Sequence, residues 1–162
     1  MPHASHRLDL LVLPKTLDQP LNEEAVVRLF RGWGVGQEGR TNQDQDLVDG
    51  GCRRVWLDQP GRLMLFGNQS GGFRVRCPET RDNISMVFGQ AHRAWKSGAE
   101  RTLKCPACSR SHALEACVFE PPAAFSTWAI VFSDVRGVEL MPGVSAQIEQ
   151  TLGPFKVVLR RP

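Results

Sequence analysis

The feature that most limits what this chain can fold into is Cys105-Pro106-Ala107-Cys108, entered from a strand-like run over 101–104. Two thiolates at this spacing on a tight turn can share one tetrahedral ion, and a proline after the first cysteine helps to set the turn. Upstream, Cys77-Pro78 repeats the Cys-Pro opening, again at the end of a strand-like run. The two turns flank a helical stretch, so residues 72–118 read as a zinc-ribbon-like insert. The insert is degenerate, because a complete ribbon would carry a cysteine at position 80 and this chain has Thr80. Three cysteines fall in register, and the fourth ligand is left to His112, Cys117, Cys52, His92 or Asp82. Spacing does not choose among them. The expected set is Cys77, Cys105, Cys108 and His112, with His112 so close behind Cys108 that its geometry is tight.

The cysteine count supports metal over disulfides. A chain of 162 residues fits one domain and can bury a core without covalent staples. Five cysteines is an odd number, awkward for a secreted disulfide framework. The first apolar run, 8–13, is too short for a signal peptide and is interrupted by Asp9, and no stretch approaches membrane-spanning length. The compartment implied is a reducing cytoplasm, where thiols stay free, bind metal or do redox work.

Periodicity supplies the remaining elements. Residues 8–13 read as a buried strand ended by Pro14. Asn22 caps an amphipathic helix with Glu23 and Glu24 in its first turn and Ala25, Val26, Leu29, Phe30 and Trp33 on one face. Residues 35–50 lack periodicity and read as an exposed loop. Strands over 53–57, 62–66 and 72–76, joined at Pro60-Gly61 and at 68–71, predict an antiparallel meander. A helix over 84–95 has Asn83 as its cap and Gly98 as its stop. A central strand over 125–132, a helix over 144–152 and a last strand over 155–159 complete the chain. The expected fold is α+β: a meander with packed helices, in a single domain 1–162 that embeds the 72–118 segment.

Arg76-Cys77-Pro78, Trp95-Lys96-Ser97-Gly98 and Leu103-Lys104-Cys105-Pro106-Ala107-Cys108 together resemble a group of small uncharacterised bacterial proteins with an embedded zinc ribbon. The run Phe125-Ser126-Thr127-Trp128-Ala129-Ile130-Val131-Phe132 is similar to the C-terminal half of that group. The resemblance covers roughly residues 72–160. It implies a fold and a metal, without an activity, and Thr80 departs from the family's paired first knuckle.

Function is bounded mainly by exclusion. The sequence carries no Gly-x-Ser-x-Gly, His-Glu-x-x-His or Walker loop, which removes the usual reasons to propose an enzyme. Gly32-Trp33-Gly34-Val35-Gly36 follows a helix and reads as a helix stop, not a phosphate loop. Arg53, Arg54, Arg62, Arg74, Arg76 and Arg81 fall on the expected meander, and a net charge of +3 is only mildly basic. The expectation is a small cytoplasmic macromolecule-binding protein of adaptor, inhibitor or immunity type. Structural zinc would hold its surface, and Arg53, Arg54, Arg74 and Arg76 would meet another protein. Two alternatives are a thiol-disulfide oxidoreductase using Cys105 and Cys108, with a helix over 111–118 as in a glutaredoxin-like site, and a nucleic-acid-binding ribbon.

Overall fold

A computed structural model describes residues 7–42, 46–68 and 73–162. The chain divides into two compact units, Met1–Ser70 with Phe125–Pro162, and Gly71–Ala124. The second contains the 72–118 segment. The class is α+β, with antiparallel sheets and three α-helices among the described residues.

The first unit is built on its two most apolar runs. Strands β1 (Asp9–Pro14) and β9 (Ala129–Ser133) are buried at every position. A strand buried on both faces and at both edges needs two neighbours, and the four-stranded order is β10-β1-β9-β2. Here β2 is Arg54–Asp58 and β10 is Phe155–Arg160. All three pairings are antiparallel, with Leu11 opposite both Val158 and Val131, and Trp56 opposite Val131. Helices α1 (Glu23–Gly32) and α3 (Pro142–Leu152) supply Val26, Leu29, Val144 and Ile148 to a core shared with Leu10, Val12, Trp128 and Phe132. Asn22 accepts the Ala25 N–H at 3.1 Å, the cap expected from its type and place. Trp33, just past α1, packs in this core and donates its indole N–H to Gln147 on α3 at 2.7 Å.

The meander does not form. Its strands exist, but β2 pairs with β9, β3 (Met64–Phe66) with β8 (Ala124–Ser126), and β4 (Arg74–Arg76) with β7 (Val118–Glu120). Gly61, at φ 76°, does turn the chain, as Pro60-Gly61 predicts. The turn does not dictate pairing, because the fully buried β9 recruits β2 from far along the chain and leaves β3 to another partner. The expected strand over 125–132 is likewise two strands. Between them the buried Ser126 hydroxyl donates to the Trp128 carbonyl at 2.6 Å and accepts the Trp128 N–H at 3.1 Å, which satisfies a bend inside an apolar run.

The 35–50 segment is also less free than expected. Leu47 and Val48 are buried in the core, and Val48 bridges Leu140. With Val35, three apolar residues in a polar stretch are too few to show a period, yet they suffice to anchor it. The 43–45 part lies outside the described residues.

In the second unit, α2 (Ser85–Lys96) lies beside β4 and a hairpin of β5 (Thr102–Lys104) and β6 (Ser111–Ala113). Its core holds Val75, Ile84, Phe88, Leu103, Leu114 and Phe119, with Phe88 and Phe119 edge-on at 5.2 Å. Asn83 serves the start of α2 one residue earlier than a standard cap: its side chain accepts both the N–H and the hydroxyl of Ser85, while Ile84 holds the cap position. Trp33 and Trp128 are core residues, whereas Trp56 and Trp95 are only half-buried. No helix among the described residues is long and apolar enough to cross a membrane.

Candidate metal centre

The two Cys-Pro turns share one backbone design. In the second, the Cys105 N–H donates to the Arg110 carbonyl at 2.8 Å and the Ser109 N–H donates to the Cys105 carbonyl at 2.9 Å. In the first, the Cys77 N–H donates to the Asp82 carbonyl at 2.9 Å and the Arg81 N–H to the Cys77 carbonyl at 2.9 Å. The spacing from each leading cysteine is the same. Ser109 and Arg81, at matching places, both take the left-handed conformation, with φ 64° and 66°. The flanking pairs match too: Lys104 opposite Ser111 and Arg76 opposite Asn83. Thr80 therefore occupies, in the first turn, the place that Cys108 occupies in the second.

The two turns and β6 bring Cys77, Cys105, Cys108 and His112 together, with one ligand atom from each lying within 4.8 Å of all the others. The Nε2 atom of His112 is 3.1 Å from the Cys108 sulfur and 3.7 Å from that of Cys77. Ordinary zinc bonds of about 2.3 Å to sulfur and about 2.0 Å to nitrogen would place such a pair about 3.5 Å apart. The two distances straddle that value, so a small tetrahedral cation fits. Position 80 contributes differently: the Thr80 N–H donates to the Cys77 sulfur at 3.4 Å.

Electrostatics favour a cation here. Burial pushes the Cys77 thiol up, but hydrogen bonds from the Thr80 amide and hydroxyl, the Glu79 amide and Cys105 outweigh it and bring it down to about 6. Burial and the neighbouring Cys105 and Cys77 sulfurs push Cys108 up to about 11, against the Arg110 amide. One thiolate is favoured, and further ones beside it repel it. A metal ion among them removes that repulsion. Cys117, outside the four, is raised to about 11 by burial and then by the charges of Cys105, Cys77 and Glu115. All five cysteines are free thiols.

Among the five candidates for the fourth ligand, the structure brings in His112. Because β6 pairs with β5, His112 sits opposite Leu103 and returns to the turn that carries Cys105 and Cys108. Its short spacing, expected to be tight, is accommodated by the hairpin. Cys52 belongs to the first unit, and Cys117, His92 and Asp82 lie outside the cluster. The helix expected over 111–118 is absent. That stretch is β6, a single 3-10 turn at Leu114–Ala116 and the start of β7, because Ser111 to Ala113 complete a hairpin.

The arginines do not share a sheet. Arg53 and Arg54 lie in the first unit, at the start of β2. Arg74 and Arg76 lie in the second, on β4. Arg74 is exposed. Arg76 is half-buried, paired with Glu120 across β4 and β7 at 2.8 Å, and donates to the Arg81 carbonyl. Arg160 ends β10 in the first unit. It is buried and pairs with the buried Asp9 at 3.2 Å. No alternation pattern reveals such a pair, since its members stand at opposite ends of the chain.

No protein-family model matches this chain, nor does any curated protein or solved structure. The likeness to ribbon-bearing bacterial proteins thus stands on the quoted motifs alone. What the site can do follows from its chemistry: four protein side chains would fill a tetrahedral shell and leave no open position for a reacting water.

Proposed function

We propose that this chain is a small macromolecule-binding protein of adaptor, inhibitor or immunity type, working in a reducing compartment such as the cytoplasm, with structural zinc fastening its second unit. The observation that carries the reading is the four-member Cys77, Cys105, Cys108 and His112 cluster, whose ligand atoms already lie within 4.8 Å of one another. Soft thiolates with one imidazole in a tetrahedral arrangement favour zinc over the hard cations that prefer oxygen. The thiol-exchange reading loses the helix it needed behind Cys105 and Cys108, because residues 111–113 form a strand. The nucleic-acid reading loses its continuous basic sheet, because the arginines lie on separate ones. Exposed Arg53 and Arg74 leave an acidic protein surface as the favoured partner.

Two measurements test this. Metal analysis of protein purified without chelator should find about one zinc per chain, with Cys105 and Cys108 unreactive until a chelator is added. An empty site with both thiols readily oxidised to a disulfide would replace structural zinc by thiol exchange. Zinc-loaded protein should then retain a cellular protein partner that the charge reversals Arg53→Glu, Arg54→Glu and Arg74→Glu together release. Retention by the triple variant would remove these arginines from the binding surface.

A further inference from the structure

Within the first unit, a cleft of about 420 Å³ is lined by Thr41, Cys52, Asp46, Arg53, Asp134 and Arg136, among others. Its size falls in the range of small-molecule sites. A second cavity of about 290 Å³ shares Thr41, Cys52 and Arg53 with it, and the described residues lining it add Arg40 and Arg54 and no acidic one.

The cleft is held by two stapled loops. The Asp49 N–H donates to the Glu139 carbonyl, the Met141 N–H to Leu47, the Arg136 N–H to Gly51 and the Arg53 N–H to Ser133. The Thr41 hydroxyl sits 3.0 Å from the Cys52 carbonyl and 3.3 Å from that of Arg53. The loops touch so closely that a Cβ on Gly137 would collide with the Asp49 carbonyl. Asp134, which lines the cleft, is held left-handed at φ 52°, its N–H fixed by the buried Asp9 carboxylate at 3.1 Å. A non-glycine residue in that conformation persists where its surroundings over-determine it, and such positions gather at binding sites.

The lining charges balance but do not pair. Among the described residues, none of Asp46, Asp134, Arg53 and Arg136 forms an ion pair. Two anions and two cations around one cleft, none in an ion pair among the described residues, are complementary to a molecule carrying both signs. We propose that this cleft binds a free amino-acid-type zwitterion, its ammonium between Asp46 and Asp134 and its carboxylate at Arg53 and Arg136. An acidic side chain is preferred, reaching past Cys52 toward Arg40 and Arg54. Cys52 forms an uncharged wall there, since burial and then Asp46 push its thiol up to about 11.

The site is independent of the metal centre, so zinc content separates failure of one from failure of the other. The test uses the zinc-loaded full chain, titrated by calorimetry and amide chemical shifts with L-glutamate, L-glutamine and N-acetyl-L-glutamate. Saturable binding of L-glutamate is expected, with L-glutamine weaker and the N-acetyl compound weaker by at least about tenfold, because the ammonium is gone. Asp46→Asn and Arg136→Gln should each weaken L-glutamate by about tenfold or more. Both positions are exposed, so folding is not at stake, and unchanged circular dichroism checks that. Equal binding of the N-acetyl compound would make this a plain anion site and overturn the proposal. So would the absence of saturable binding by L-glutamate and L-glutamine up to about 10 mM.

Discussion

At the scale of single residues, the most consequential groups are the charges that burial seals from water. Asp9 accepts from Arg160 at 3.2 Å and from the Asp134 N–H at 3.1 Å, and both side chains of the ion pair are nearly sealed from water. Asp9→Ala should therefore destabilise the first unit by about 3–5 kcal/mol in urea unfolding, because it strands the Arg160 charge. Replacing Arg160 as well, with Leu, should recover part of the loss. Glu115 behaves differently. It receives two hydrogen bonds from Arg101, at 2.9 and 3.2 Å, but both residues are partly exposed. Burial raises its pKa, while the Arg101 hydrogen bonds and charge outweigh this and lower it. A carboxyl whose folded pKa is depressed contributes stability above its unfolded value of about 4.3, and that contribution is lost as pH falls through the folded value. Glu115→Gln should thus cost no more than about 1 kcal/mol at neutral pH. The gap from wild type should close below about pH 4 in parallel urea titrations.

At the scale of elements, the equivalence of the two Cys-Pro turns makes a sharp prediction. His112→Ala removes one ligand, and zinc retention against a chromophoric chelator should fall by orders of magnitude. Adding Thr80→Cys places a thiol where the second turn has Cys108, and the double variant should regain about one zinc per chain as a four-cysteine site. Failure of that rescue, with the fold intact by circular dichroism, would show that the turns are alike in backbone only. The helices carry a smaller lesson. Asn22→Ala removes the Ala25 cap and should lower stability by about 1 kcal/mol, read as a shift in the urea midpoint with unchanged slope. Asn22 was legible because its cap bond is local, as were Glu23 and Glu24. Asn83 was half legible: its side chain serves the start of α2, but Ile84 holds the cap position because its N–H and the Ser85 hydroxyl are both engaged with β4.

At the scale of the whole molecule, the chain joins a unit with a large apolar core to one whose core is small. A small core needs a staple, and a structural metal is one of the few available to free thiols. Chelation should therefore raise amide hydrogen exchange in β4, α2, β5 and β6, while β1 and β9 stay protected. Uniform loss of protection in both units would mean that they unfold as one and that the metal stabilises the entire chain.

Features that depend on neighbours along the chain are legible in the residue order. The α+β class, the three helices, the cap at Asn22, the turn at Pro60-Gly61 and the metal-ready turn at Cys105-Pro106-Ala107-Cys108 all rest on period, capping chemistry or short spacing. Tertiary structure decided whatever depends on which surfaces meet. Strand partners are chosen by the most apolar strands, β1 and β9, so the local hairpin signals of the expected meander lost to distant pairings. His112 joins the thiols because a hairpin carries it back, a choice that spacing along the chain did not make among the five candidates. Leu47 and Val48 bury themselves within a polar stretch, and Asp9 finds Arg160 across the length of the chain. Each outcome follows from burying apolar surface and pairing charge in three dimensions, which linear periodicity does not encode.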